Sequence, residues 1–305
     1  MKKSISVKMC ITGAGRVGTT IGYFFSRAKS SGINLKAISS GSDKSLKRAG
    51  EILGEESKDI LFTRDNIKAA MSANCILICT PDDTIEKTCA EIVRGMGKED
   101  LRDYYFIHFS GSKYLGVLGE AAEKGAETAS IHPIKSFTSI EGAIKTLRNT
   151  FYGVTCAGRK SAEFAENIVE ILGGREIKVP DDKKPLYHAA LCVASNYLVS
   201  LLNYSVEIHR RIGIRPDDSI MGLTDLVDGT IDNIKKTGTE KSLTGPISRG
   251  DSGTVGEHIE GLEKIFSEDE MKLYRVMGLE TGKMAYKNKW INYKEFEKIK
   301  EILEC

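Results

Sequence analysis

Three polar groups stand at four-residue intervals in an otherwise apolar stretch: His188, Cys192 and Asn196 in HAALCVASN. On a helix the spacing i, i+4, i+8 puts all three on one face. Leaving such groups buried and unpaired costs about 1 to 3 kcal/mol each, so the stripe must be paired or must border a wet cleft. A histidine, with a reference pKa of about 6.5, can give a proton to a carbonyl or imine near neutrality, which makes His188 the first choice of proton donor, with Asn196 beside it. Cys192 is the weaker candidate, since a thiol on a buried helical face is more often inert. His132, in SIHP, closes a strand-like run before Pro133, where it either faces a cleft or packs as a structural histidine. His108, inside YYFIHFS, reads as a core histidine. Farther on, LTGPISRGDSGTVGEH breaks helical sequence with Gly245, Pro246, Gly250 and Gly253. Arg249 in that loop, ahead of a helix restarting at a Thr254 to Glu257 capping box, suits a carboxylate or phosphate, with Asp251 to orient it. A solvated connector with a routine cap is the alternative.

A second constellation lies near the start. Gly13-Ala14-Gly15-Arg16-Val17-Gly18 follows an apolar strand-like run and opens a helical one. In that context the first glycine makes the tight turn, the second lets backbone approach a pyrophosphate, and the third lets helix and strand pack closely. A glycine-rich turn without ligand is the competing reading. About twenty residues on, where an NAD site carries Asp or Glu, stand Ser39, Ser40, Gly41 and Ser42, with Lys44 and Arg48 after them. Hydroxyls and cations at a strand tip suit a 2′-phosphate, so the expectation is NADP(H) over NAD(H). Asp43 tempers it, unless it caps the next helix. Thr80, Pro81 and Asp82 in CTPDDTI, with Asp83 as a helix cap, and Ser110 and Gly111 in HFSGS, also follow strand-like runs. They are expected to border the cofactor, because open α/β sheets bind ligands beyond the carboxyl ends of their strands.

These loops need a sheet to hold them. ISVKMCIT, INLKAIS, NCILICT, YYFIHFS, ETASIHP, FYGVTCA and REIKV alternate with helix-compatible stretches, the pattern of a doubly wound α/β domain with a parallel sheet. After VPDDKKP comes LYHAALCVASNYLVSLLNYSVEIHRRIG, nearly thirty residues without proline or internal glycine, with Pro185 at its first turn. Further helical segments are expected near 216–237, 254–266 and 268–288. The division drawn is a nucleotide-binding domain over residues 1–180 and an all-α domain over 181–305, the latter for substrate and dimerisation.

The 305 residues, 41% hydrophobic and 28% charged, suit two globular domains. The formal net charge of +2 and the lack of like-charge blocks give no footprint for nucleic acid. The opening MKKSISVKMCITGAG is too short and too soon broken by glycine for a signal peptide or membrane span, so no membrane partner and a cytoplasmic location are expected. Seven scattered cysteines, Cys305 among them, predict free thiols. Cys75 and Cys79 lack zinc-site spacing, so no metal is expected.

Taken in order, GAGRVG, CTPDDTI, HFSGS, SIHPIKSF, HAALCVASNYLVSLL and LTGPISRGDSGTVGEH resemble the Rossmann-like oxidoreductase family with a C-terminal helical domain of unknown function. More distantly the layout is similar to the β-hydroxyacid dehydrogenase superfamily, with ketopantoate reductase, pyrroline-5-carboxylate reductase and a 6-phosphogluconate dehydrogenase-like helical domain. The resemblance implies an NADP(H)-dependent oxidoreductase acting on a small anionic carbonyl, alcohol or imine, and a homodimer formed through helical domains. It also implies a general acid, because many superfamily members carry Lys four residues before the Asn; here that position is Cys192. A non-catalytic NADP(H)-binding regulator and a deazaflavin-dependent NADP reductase are the alternatives.

Overall fold

The computed structural model describes residues 7–28 and 32–304. Ile5 and Ser6, expected to open the first strand, and Cys305 lie outside the described residues. The chain divides into two compact units, Met1–Tyr197 and Leu198–Cys305. The division falls at 197/198 rather than at 180/181, so His188, Cys192 and Asn196 belong with the first unit.

The first unit is built on one eight-stranded sheet. Its elements run β1 (Val7–Thr12), α1 (Arg16–Arg27), β2 (Ile33–Ser39), α2 (Asp43–Leu53), β3 (Leu61–Thr63), α3 (Asn66–Met71), β4 (Cys75–Ile78), α4 (Ile85–Met96), β5 (Tyr105–His108), α5 (Gly119–Glu123), β6 (Glu127–Pro133), α6 (Ile140–Thr146), β7 (Phe151–Cys156), α7 (Arg159–Ile171), β8 (Arg175–Lys178) and α8 (Lys184–Cys192). Strand order is β3-β2-β1-β4-β5-β6-β7-β8. All pairs are parallel except β6 with β7. Two features differ from the sequence expectation. The three-residue β3 is too short to show a periodicity of its own. The reversal at β7 places one antiparallel pair in a sheet expected to be parallel throughout.

Alternation along the strands explains the two helical layers, since successive side chains leave opposite faces. Met9 and Ile11 of β1, with Cys75 and Leu77 of β4, join one core with Phe25 of α1, Leu53 of α2 and Ile168 of α7. Cys10, Ile76 and Ile78 point the other way, into a core with Ala69 of α3, Cys89 and Ile92 of α4, and Ala121 of α5. Burial pushes the Cys10 thiol up to about 12, and the described cysteines are free.

Beyond α8 a π-helical turn, Val193–Tyr197, interrupts the long apolar helix expected from sequence. The second unit then holds α9 (Leu198–Arg211), α10 (Pro216–Thr237), α11 (Thr239–Ser242), α12 (Ser252–Glu263), α13 (Glu268–Lys287) and α14 (Tyr293–Glu304). Its core gathers Val255, Ile259 and Leu262 of α12 with Met271, Ala285, Ile299 and Leu303. The helical run Asp181–Arg211 is long and apolar enough, by length and composition, to cross a membrane, and none of its most apolar window is buried. It carries Lys184, His188 and Asn196 among its apolar residues, and exposes Leu186, Val193, Tyr197 and Val199.

Candidate active site

The order β3-β2-β1-β4 reverses direction between β1 and β4, and the glycine loop lies at that switch point. Gly13 has φ +111°, a conformation that favours glycine, and a Cβ there would stand 2.6 Å from the Cys79 carbonyl oxygen. At Gly18 a Cβ would meet the Gly13 carbonyl at 2.0 Å, so α1 packs directly on the turn. Gly15 differs: a Cβ there would have no heavy atom within 4 Å. It is the N-cap of α1 and supplies no side-chain cap, and no acidic residue stands in the first turn. The leading N–H groups of α1 therefore stand beside open space, and the end of a helix favours negative charge there. Beside it, the hydroxyls of Thr12, at the end of β1, and Thr80, after β4, are buried without a hydrogen-bond partner. Gly13, Ala14, Gly15, Arg16, Val17 and Gly18 thus fit a dinucleotide pyrophosphate.

At the tip of β2 the candidates separate. Ser39 is buried and donates to Asn66 Oδ1 at 2.8 Å, so it is committed to the interior and does not face a ribose phosphate. Ser40 is half-buried, while Ser42, Lys44 and Arg48 are exposed, and Arg48 Nη2 reaches the Ala14 carbonyl at 3.4 Å. Ser42, not Asp43, caps α2, accepting from Ser45 N–H. Asp43 instead pairs with Arg64 at 3.5 Å. Arg64 was not singled out from sequence; it follows the short β3, whose Thr63 carbonyl accepts from Ser40 N–H.

The loops after β4 and β5 share one polar network. Asp82 accepts from Ser110 Oγ at 2.7 Å and from Ser112 Oγ at 3.0 Å. Thr84, not Asp83, stands at the N-cap of α4. His108 is fully buried; its Nδ1 accepts from Ser110 N–H, and burial first, then the Lys184 charge, push its pKa down to about 3. It is a neutral core histidine.

Lys184, at the first turn of α8, is the residue that sequence reading missed. Only 1% of it is exposed, and its ammonium donates to Ser130 Oγ at 2.6 Å and to the Ser110 carbonyl at 3.1 Å. Ser130 Oγ donates in turn to that carbonyl. Burial lowers the Lys184 pKa to about 8, opposed by Asp181 and Asp82. In KKPLYHAAL nothing distinguishes this lysine from the solvated Lys183 before it, because burial of one of two adjacent lysines is settled by tertiary packing.

His132, Lys135, Ser136, His188, Cys192 and Asn196 line a cavity of about 400 Å³ within the first unit. The imidazoles of His132 and His188 lie 6.1 Å apart between centroids at 68°. Gly111 makes their approach possible, since a Cβ there would stand 2.8 Å from both rings. Cys192 Sγ is 3.8 Å from His188 Nδ1. His132, half-buried, has its pKa pushed down to about 4 by burial, His188 and Lys184, with Asp82 opposing. The cavity lies at the carboxyl end of β6, on the same side of the sheet as the glycine loop.

Arg249 belongs to the second unit and is exposed. The expected Thr254 cap is replaced: Asp251 caps α12, accepting from Thr254 N–H at 3.0 Å and from Thr254 Oγ1 at 2.7 Å. A carboxylate there outcompetes a hydroxyl for the helix N–H groups. Asp251 is thus engaged with Thr254, and the Arg249 charge only adds to holding its carboxyl below the usual range. Among the described residues no group of three or more His, Cys, Asp or Glu is placed to hold a metal ion.

Residues 2–133 match the Rossmann-like domain family, and residues 150–281 match a domain of unknown function, DUF2520. No curated protein sequence matches the chain. Among solved structures, protein TM1727 from Thermotoga maritima is 25% identical with a TM-score of 0.71, over 92% of this chain and 99% of that one. Pyrroline carboxylate reductase from Plasmodium falciparum, solved with NADP bound, is 12% identical with a TM-score of 0.56, over 98% of each chain. An imine reductase variant from Myxococcus stipitatus, in complex with NAD+, is 14% identical with a TM-score of 0.60, over 96% of this chain and 99% of that one. At these identities the two reductases share the fold.

Proposed function

The chain joins a Rossmann-like domain to a DUF2520 domain, and from that premise we propose an NADP(H)-dependent oxidoreductase acting on a small anionic carbonyl, alcohol or imine. One observation carries the reading. A glycine loop fitted to a pyrophosphate and a cavity lined by two histidines, a lysine and an asparagine lie at the same carboxyl edge of one sheet. When bound, a reduced nicotinamide supplies a hydride to an electrophilic carbon, whose C=O or C=N electron pair moves to the heteroatom.

The protein's own part is to bind, orient and stabilise. Gly13 to Gly18 hold the pyrophosphate; Thr80, Pro81, Asp82, Ser110 and Gly111 border the nicotinamide end. Ser40, Ser42, Lys44, Arg48 and Arg64 favour the 2′-phosphate, with Arg64 offsetting Asp43. Lys135, within the cavity, is the proposed contact for an anionic group; Arg249, in the second unit, is a separate candidate for anion binding. His188, beside Cys192 and Asn196, is the proposed proton donor, and His132 stands across the cavity from it. The polar lining favours turnover over a purely regulatory dinucleotide-binding role, which would need no second polar wall.

The same reading includes a homodimer through helical segments and a cytoplasmic location. In α10, 22 residues long, only Ser219 is buried, while Ile220, Met221 and Leu226 are exposed; an apolar helix surface of this kind suits a partner. The primary experiment is a fluorescence titration with NADPH and, separately, NADH. Tighter NADPH binding supports the reading; binding of neither overturns it.

A further inference from the structure

Tyr187 stands on α8 one residue before His188. Its hydroxyl lies 3.1 Å from His132 Nδ1, and the two rings meet edge to face at 89°. The same oxygen sits over Gly153 of β7, where a Cβ would come within 2.2 Å of it. Between a neutral imidazole and a phenol, the phenol O–H is the stronger acid and the unprotonated ring nitrogen the better acceptor, so the pair is most stable with the phenol giving its one proton. The neighbour placed to accept it is His132 Nδ1.

We infer that Tyr187 fixes His132 as the Nε2–H tautomer, so that a neutral imidazole presents an N–H donor to the carbonyl oxygen or imine nitrogen of a ligand in the cavity. The ring is in one neutral form at pH 7 for reasons that surround it: burial, with the His188 ring and the Lys184 ammonium from α8, disfavours the cation, and only Asp82, from the loop after β4, opposes them. Nδ1 and Cε1 face Gly111, and Nδ1 is engaged by Tyr187, which leaves Nε2 for a ligand. Which nitrogen of a neutral histidine carries the proton is decided by the bond the other one makes. Tyr187 is thereby a positioning residue and His132 a hydrogen-bond donor that need not transfer its proton. A donor aimed where charge develops stabilises that charge without a protonation event. The donor role toward a substrate rests on the hydride-transfer reading; the tautomer does not.

The test uses the full-length protein labelled with 15N at its five histidines, without cofactor, and long-range 1H–15N correlation at neutral pH. His132→Gln identifies the His132 signals by their loss. The wild type is expected to show a pyrrole-type Nε2 and a pyridine-type Nδ1 for His132, and Tyr187→Phe to move both toward tautomer-averaged positions. A pyridine-type Nε2 in the wild type, or an unchanged spectrum in Tyr187→Phe, overturns the inference. If Tyr187→Phe does not fold, incorporation of 3-fluorotyrosine replaces it. The stronger phenol donor should shift Nδ1 further from the free pyridine position, and no shift overturns the role of Tyr187. Failure of NADPH to bind would remove the hydride reading and leave these spectra as they are.

Discussion

His132 and Gly153 stand directly opposite each other in the antiparallel register of β6 and β7, and the space that Gly153 leaves is taken by the hydroxyl of Tyr187. The one antiparallel pair of the sheet thus brings a position without a side chain, on β7, against the cavity histidine near the end of β6. Had β7 carried any larger residue at this register position, the phenol could not lie where it reaches Nδ1.

Gly153→Ala is therefore expected to push Tyr187 away, with overpacking costing about 1 to 3 kcal/mol. Urea unfolding measures the loss, and an unchanged midpoint would mean that the Tyr187 ring moves aside freely.

Lys184 makes a prediction with a definite sign. Its folded pKa of about 8 lies below the ordinary 10.5, so between those values the unfolded chain holds more protons than the folded one, and stability rises with pH. The gain is complete above 10.5 and lost as pH falls through about 8. At about 1.4 kcal/mol per tenfold change in proton affinity, it amounts to roughly 3 kcal/mol. Lys184→Met removes the ammonium but keeps most of the volume. The wild type should gain stability relative to Lys184→Met by up to that amount across the window, measured by urea unfolding at several pH values. Parallel pH profiles for the two proteins would show that Lys184 is not held with a lowered pKa.

The glycine loop separates folding from binding. Gly15→Ala adds a Cβ into space that the protein leaves open, so it should unfold like the wild type yet bind NADPH at least tenfold more weakly. Gly18→Ala sets a Cβ against the Gly13 carbonyl and should lower stability itself, by about 1 to 3 kcal/mol. If Gly15→Ala binds NADPH normally, the open space over α1 is not the pyrophosphate site.

How much of this was legible in the sequence follows from the range of each signal. The turn at Gly13 and the close helix packing at Gly18 were legible from the glycine spacing between a strand-like and a helical run, because both are local. His188, Cys192 and Asn196 line one cavity, as four-residue spacing suggests, even though a π-turn follows Cys192. Ser39 looked like its neighbours Ser40 and Ser42, but alternation along β2 turns it inward to Asn66. Asp251 and Thr254 both suited a helix start, and only the built helix shows which one caps. Lys184, Tyr187 and Arg64 were invisible for a common reason: each acts through a partner distant in the chain, and residue type alone does not reveal that partner.

Arg64 offers a test of cofactor choice. It pairs with Asp43, a carboxylate just past the tip of β2 whose charge would repel a 2′-phosphate. Arg64→Ala leaves Asp43 without that cation and should weaken NADPH binding about tenfold, the scale of one charge-assisted hydrogen bond, with NADH binding little changed. An equal loss for both dinucleotides would assign Arg64 to the shared part of the cofactor, and no loss for either would remove it from the site.

The exposed apolar residues of α10 give the last prediction. Met221 and Leu226 are 66% and 67% exposed, and this 22-residue helix buries only Ser219, so the unit's own core leaves an apolar surface on the helix uncovered. If a second copy of the chain covers it, the wild type will run as a dimer in light scattering after size exclusion. Leu226→Glu would then place a carboxylate in the interface without a partner and shift the population to monomer. The variant monomer should retain the thermal transition of the first unit, because Leu226 lies outside it. A wild-type monomer at micromolar concentration would remove the dimer, and a dimer indifferent to Leu226→Glu would move the contact off α10.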